Sequence, residues 1–370
     1  MKRRLLASVL LIALGSVPGR AQRGAQNSAS TPPSGKNAQS QIAPTASKPW
    51  IPPKTPWGDP NLQGVWPGTD LIGTPMERDR SLGTRAFLND EEFAQKVAHS
   101  EEQAEIDTKE FVDHNPKVAR GNGFITCDQD PERCRNGVRI GPPNYWDERG
   151  KPNRQASLVV DPPDGRIPPL TPEAQKLAAD RAVARRARPC AATSGGCHDS
   201  WEDESLWDRC ITRGAVGSIV PNTYNQGNQI LQTRGYVVLR NEMIHEARII
   251  PLDGRPHAAP NIRTWIGDSR GRWEGNTLVV ETTNFTGNVP IGNTPASDAL
   301  RLIERFTLSD ANTLTYQVTV DDPKTWTKPW TISFPLRRDP RYQLFEYACH
   351  EGNYYMFNAL SGARSSEGAK

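Results

Sequence analysis

Tyr236 to Ile250, YVVLRNEMIHEARII, decides the fold class, because its alternation runs longer than any other in the chain. Read as one strand, Val237, Leu239, Asn241, Met243, His245, Ala247 and Ile249 share a face. Tyr236, Val238, Arg240, Glu242, Ile244, Glu246, Arg248 and Ile250 share the other. The first face is apolar except for Asn241 and His245. The second carries two acids and two arginines in balanced order, as a solvated sheet face does. The pattern therefore predicts a half-buried strand with His245 pointing inward.

Outward from that stretch, the C-terminal half reads as strand after strand: Arg263 to Gly267, Asn276 to Phe285, Leu300 to Leu308, Asn312 to Val320, Trp330 to Arg337 and Leu344 to His350. The segments LDGRP, GDSRGRWEGN, SDANT and RRDPR separate them as turns. Short connections between sequential strands make an antiparallel meander. The expected fold is mainly β, a meander closed into a lipocalin-like barrel or curled sheet with two peripheral helices. No fixed repeat appears, which argues against a propeller.

Towards the N-terminus the pattern changes. Residues 1–21 have a basic start, an apolar run from Leu5 to Val17 and a small residue at Ala21, the layout of a secretory signal peptide. Residues 22–55 are rich in Gln, Ser, Ala and Pro and read as a disordered linker. Order is expected from Pro56, with Gly64, Val65 and Trp66 opening a first strand and a single domain running to 363 before a short disordered tail. Asn89 with Glu92 approximates a capping box for a helix over 89–111. Thr171 and Pro172 form an N-cap and first position for a second helix over 172–188. Ser157 to Val160 reads as a short strand between them.

Removing residues 1–21 takes away Lys2, Arg3, Arg4 and Arg20 and no acid, so 45 basic residues become 41 against 42 acidic ones. A near-neutral chain without a long basic run gives no electrostatic case for nucleic acid. The apolar leader run is too short for a stable membrane span. A periplasmic or secreted location follows from the leader. Six cysteines in an exported chain point to disulfides rather than metal. The expected pairs are Cys127 with Cys134, Cys190 with Cys197, and Cys210 with Cys349.

For chemistry, the informative positions are polar residues stranded on apolar faces. Glu304 sits among Leu300, Leu302, Phe306 and Leu308, and Asn284 ends the face of Leu278, Val280 and Thr282. A buried carboxylate beside an imidazole suits acid and base catalysis, which makes His245 and Glu304 the candidate catalytic pair. The bland alternative pairs Glu304 with an arginine such as Arg248 or Arg263. Asn241, Asn284, Asp322, Glu346, His350 and Trp265 are the candidate ligand-binding residues around them. No helical His pair or local metal motif is present, and no cofactor is expected. Neither GxSxG nor GxGxxG in its proper context occurs. Ten tryptophans and eight tyrosines, several in loops, offer stacking faces for sugars or aromatic ligands.

The segments LVVDPPDGRIPPLTPE, NEMIHEARIIPLDGRPH, WIGDSRGRWEGNTLVVETTNF, ERFTLSD and YACHEGNY closely resemble an uncharacterised family of exported soil-bacterial proteins, over about residues 56–363. That resemblance implies export and no particular reaction. His245, Asn284, Cys349, His350 and Glu351 fall within its motifs. A weaker similarity to lipocalin-like barrels rests on Gly64-Val65-Trp66 and on the meander after Trp273. The expected function is binding of a small apolar or carbohydrate-like ligand in the barrel, with hydrolase or lyase chemistry at His245 and Glu304. The alternative is a structural or envelope interaction protein with a filled barrel.

Overall fold

The computed structural model describes residues 50–113, 148–188, 190, 197–222 and 224–368. The leader, the 127/134 cysteine pair and the extreme C-terminus lie outside these. The chain divides into residues 1–49 and 50–370, and the second unit carries everything below. Its fold begins earlier than Pro56: Lys54 bridges to Pro60, and buried Thr55 donates its hydroxyl to the Asp59 carbonyl at 3.2 Å.

Two antiparallel sheets make the body. The first has the order β1-β3-β4-β5, from Gly64–Val65, Asn228–Thr233, Tyr236–Asn241 and Ala247–Pro251. The second has the order β2-β12-β11-β10-β7-β6, from Val159–Asp161, Trp330–Arg337, Thr313–Asp321, Arg301–Asp310, Thr277–Thr283 and Asp268–Glu274. A small hairpin, β8 (Val289–Ile291) with β9 (Thr294–Ala296), stands apart. Among the described residues neither sheet closes on itself, so the architecture is mainly β with open antiparallel sheets rather than a closed barrel. The break falls between β5 and β6, where the connection LDGRPHAAPNIRTWIG keeps them from hydrogen-bonding. Prolines and turn residues in that connection cannot continue a ladder.

The strand alternation in the second sheet is as the sequence predicts. Leu302, Glu304, Phe306 and Leu308 of β10 face inward, with Leu314, Tyr316, Val318 and Val320 of β11 beside them. They share one core with Ile230, Val237, Leu239 and Ile250 of the first sheet. Among the described residues, a void between the sheets lined by Trp66, Ile230, Leu239, Phe306 and Leu336 has room for about one water.

Four local readings are corrected. Tyr236–Ile250 is a hairpin and not one strand. β4 buries Val237, Leu239 and Asn241, whereas β5 buries Arg248 and Ile250, so the inward parity switches from odd to even across a tight turn at Met243–His245. Ile244 and His245 both have positive φ there, 58° and 45°. GDSRGRWEGN is strand β6 plus a turn at Gly275, whose φ of +60° glycine adopts without strain. Finally, Leu344 to His350 is not a strand but an extended strap, and Arg263 to Gly267 contributes only a bridge from Thr264 to Phe285.

The helices are peripheral. In α1 (Asp90–Asp113), Asn89 Oδ1 accepts from Glu92 N and Glu92 Oε2 from Asn89 N, both at 2.9 Å, which is the expected capping box. In α2 (Pro172–Arg186), Thr171 accepts from Ala174 N at 3.1 Å, and no residue is buried. A third helix, α3 (Tyr354–Gly368), is not anticipated by the sequence pattern and runs on into residues 364–368, expected to be disordered tail. No helix among the described residues is long and apolar enough to cross a membrane.

Candidate functional site

The predicted pair is split by the hairpin. Glu304 is fully buried and accepts from Arg248 Nη1 and Nη2 at 2.6 and 2.8 Å and from the Tyr316 hydroxyl at 2.9 Å. His245 is exposed at the turn, with Nδ1 3.1 Å from the Tyr347 carbonyl. Glu304 thus takes up the arginine partner offered by the bland alternative, and no contact joins it to His245.

The remaining candidates are also dispersed. Asn241 donates to Asn228 Oδ1 at 2.6 Å and to the Ser218 carbonyl at 3.3 Å, tying β4 to β3 and a neighbouring loop. Asn284, at positive φ, donates to the carbonyls of Ala258, Ala259 and Ile262 and shapes the β5–β6 connection. Buried Asp322 accepts from the backbone and hydroxyl of Ser297, both at 2.7 Å, and from Thr325 Oγ1 at 2.7 Å. Trp265 packs against the core, while Glu346 and His350 are exposed on the strap.

Where polar groups converge is the rim at the end of the β4–β5 hairpin. Three segments meet there: the loop from Trp207 to Ser218, the loop from Tyr224 to Gly227, and the strap from Tyr342 to Cys349. Disulfides hold the region, with Cys210 bonded to Cys349 and Cys190 to Cys197, both as expected. The metal-like grouping of Cys190, Cys197 and Asp199 is therefore occupied by a disulfide. Glu246 of the turn accepts from the hydroxyls of Thr212 and of Ser218, the latter at 2.7 Å, which fixes the hairpin to the first loop.

Arg213 is the unusual residue of this rim. Its guanidinium carbon lies 4.6 Å from the centroid of the Trp207 ring. It is half-buried and forms no ion pair or hydrogen bond among the described residues. Burial holds its pKa below the ordinary arginine value, against the opposing pull of Tyr224 and Tyr347. Burial also pushes the Tyr224 phenol up, with the Tyr347 hydroxyl beside it adding to the shift, Arg213 opposing it and Asp208 reinforcing it. A desolvated cation with one aromatic face covered and two phenols nearby is a ready receptor for an anion.

Beside it lies an acidic cluster. Glu242, 1% exposed, accepts from Gly227 N at 3.0 Å, Phe345 N at 2.8 Å, Asn225 Nδ2 at 3.2 Å and the Tyr342 hydroxyl at 2.6 Å. Gly227 allows a close approach: a Cβ there would stand 2.2 Å from Leu344 Cδ2 and 2.7 Å from Glu242 Oε2, so those side chains would have to shift. Sequence reasoning placed Glu242 on the wet face because it read one strand straight through the turn that begins there. Arg213, Tyr224, Tyr342 and Glu148 carry no local motif. The sequence signals that fall at this rim are His245 on the turn, Glu346 on the strap and Trp207, one of the loop tryptophans with a stacking face.

No family model matches the chain, and neither a curated protein nor a solved structure matches it.

Proposed function

We propose that the protein is an exported binder of a small anionic ligand with a flat or ring-shaped body, a carboxylate-bearing sugar or aromatic acid, at the Arg213 rim. The observation that carries this reading is the guanidinium of Arg213, stacked on Trp207 and left without a carboxylate. A half-buried cation without a counter-charge costs free energy that an incoming anion would offset. Tyr224 and Tyr347 supply hydroxyl donors and ring walls for the body of the ligand. The site lies on the rim of the hairpin and not between the sheets, where the void has room for about one water. His245, whose ring is tied to the same strap, borders it. The reading claims binding without a reaction, since the carboxylate proposed for catalysis is engaged with Arg248. It retains the periplasmic or secreted location, with which two disulfides are compatible, and kinship with the exported soil-bacterial family.

The test is calorimetric titration of the mature protein with D-glucuronate and benzoate, set against D-glucose and benzyl alcohol. Binding of either acid over its neutral counterpart, lost at least tenfold in Arg213→Gln, supports the reading. Equal behaviour of acid and neutral probes, or an unaffected variant, overturns it. A second reading, a structural or envelope interaction protein, draws on the small size of the void between the sheets, and it is the one left standing if no probe binds.

A further inference from the structure

The acidic cluster beside the rim contains more acceptors than donors. Tyr342 Oη is 2.6 Å from Glu242 Oε2 and 2.8 Å from Glu148 Oε2. A phenol carries one hydrogen and can donate it to one carboxylate only. The second contact at this distance needs a proton on a carboxyl group. Glu242 is the better carboxylate, since three further donors reach it, Gly227 N, Phe345 N and Asn225 Nδ2, against two at Glu148. Glu148 accepts from two backbone amides, Asn225 N at 3.1 Å and Gln226 N at 3.0 Å. No Lys, Arg or His ion-pairs with either acid among the described residues, so no cation compensates two charges held around one oxygen.

We propose that Glu148 is held protonated and donates to Tyr342, which donates in turn to Glu242, and that this shared proton latches the strap over the rim. The groups facing Glu148 are Tyr342 from the strap, Glu242 from the hairpin turn and the amides of the 225–226 loop. Tyr224, which precedes that loop, belongs to a separate group with Tyr347, Arg213 and Asp208. Burial pushes the Glu148 pKa up and the nearby Glu242 charge adds to the shift, against hydrogen bonds from Gln226, Tyr342 and Asn225. The sign follows from linkage. A carboxyl whose pKa is higher with the strap closed favours closure at low pH, and that contribution is lost as pH rises through the closed-state value. Above it, two carboxylates compete for one hydroxyl hydrogen and the strap loosens, carrying Tyr347 away from Arg213. The consequence for binding rests on the ligand reading above, but the latch itself does not.

Hydrogen exchange of the full mature chain, followed by mass spectrometry on peptides spanning residues 340–348, tests the latch without any ligand. Rates are normalised for intrinsic exchange and compared between pH 5.5 and 8.5. Wild type should lose protection severalfold at the higher pH, Glu148→Gln should stay protected at both, and Tyr342→Phe should exchange fast at both. Equal protection of the wild-type strap at the two values, or a Glu148→Gln strap that loosens like wild type, overturns the proposal. A carboxyl NMR titration of wild type gives a check independent of variant folding: a Glu148 pKa at or below about 4.3, the ordinary glutamate value, also overturns it. Failure of the latch leaves anion binding at Arg213 intact, and absence of anion binding leaves the latch measurable.

Discussion

Arg248 of β5 and Glu304 of β10 meet in a bidentate pair, at 2.6 and 2.8 Å, that joins the two sheets through the middle of the core. The guanidinium is 3% exposed and the carboxylate 0%. Tyr316 completes the carboxylate's contacts, while Arg248 Nε has no partner. Such a pair locks the relative placement of the sheets, because neither charge tolerates the core alone.

Removing one partner should therefore be severe. Glu304→Gln or Arg248→Ala is expected to cost about 3–5 kcal/mol in urea unfolding, the range for breaking a buried pair from one side. The triple variant Arg248→Met, Glu304→Leu, Tyr316→Phe leaves no orphaned polar atom and should fall within about 1–2 kcal/mol of wild type. A near-neutral single variant would show that Glu304 is not a structural anchor and would return it to the list of catalytic candidates.

His245 should behave in the opposite way. It is exposed, its side chain makes one hydrogen bond and its φ is 45°. His245→Ala is expected to change stability by less than about 1 kcal/mol, and His245→Gly to recover part of that by relieving the left-handed backbone. Thermal denaturation of both variants checks this, and a loss of several kcal/mol in the alanine variant would mean that the turn is a buried network.

The two disulfides should differ in weight. Cys210 and Cys349 are separated by 139 residues and Cys190 and Cys197 by 7. Loop-closure entropy sets the upper contribution of the first near 5 kcal/mol and of the second near 2 kcal/mol. Paired serine substitutions should lower the urea midpoint in that order. Peptide mapping of the non-reduced protein should recover both bonds, and either pair found as free thiols would be decisive against the assignment.

Gly227 should be intolerant of substitution although it lies in a loop. Alanine would press against Leu344, Glu242 and the Tyr342 ring together. Overpacking of this kind costs about 1–3 kcal/mol. Gly227→Ala should also free the strap, read as faster exchange over residues 340–348. An alanine variant with wild-type stability and a protected strap would contradict the close approach.

Much of the second sheet was legible from β10 and β11, where period-two alternation brings Glu304 and Tyr316 inward with no help from tertiary context. The caps of α1 and α2 were legible for the same reason, since Asn89 with Glu92 and Thr171 with Pro172 satisfy local backbone donors. The β4–β5 hairpin was not. Its turn, Glu242 to Glu246, contains no glycine and no Asn-Gly pair, so the alternation reads straight through it and assigns His245 and Arg248 to the wrong faces.

The candidate site was legible only in fragments, and the division has a physical cause. Local pattern is enough to specify the strands of the second sheet and the helix caps, because each depends on neighbours in sequence. The Arg213 rim and the Glu148–Tyr342–Glu242 relay depend on segments 139 to 194 residues apart, brought together when the strap crosses the hairpin and Cys349 meets Cys210. Whether a charge is paired or left open follows from that long-range closure, and no periodicity records it.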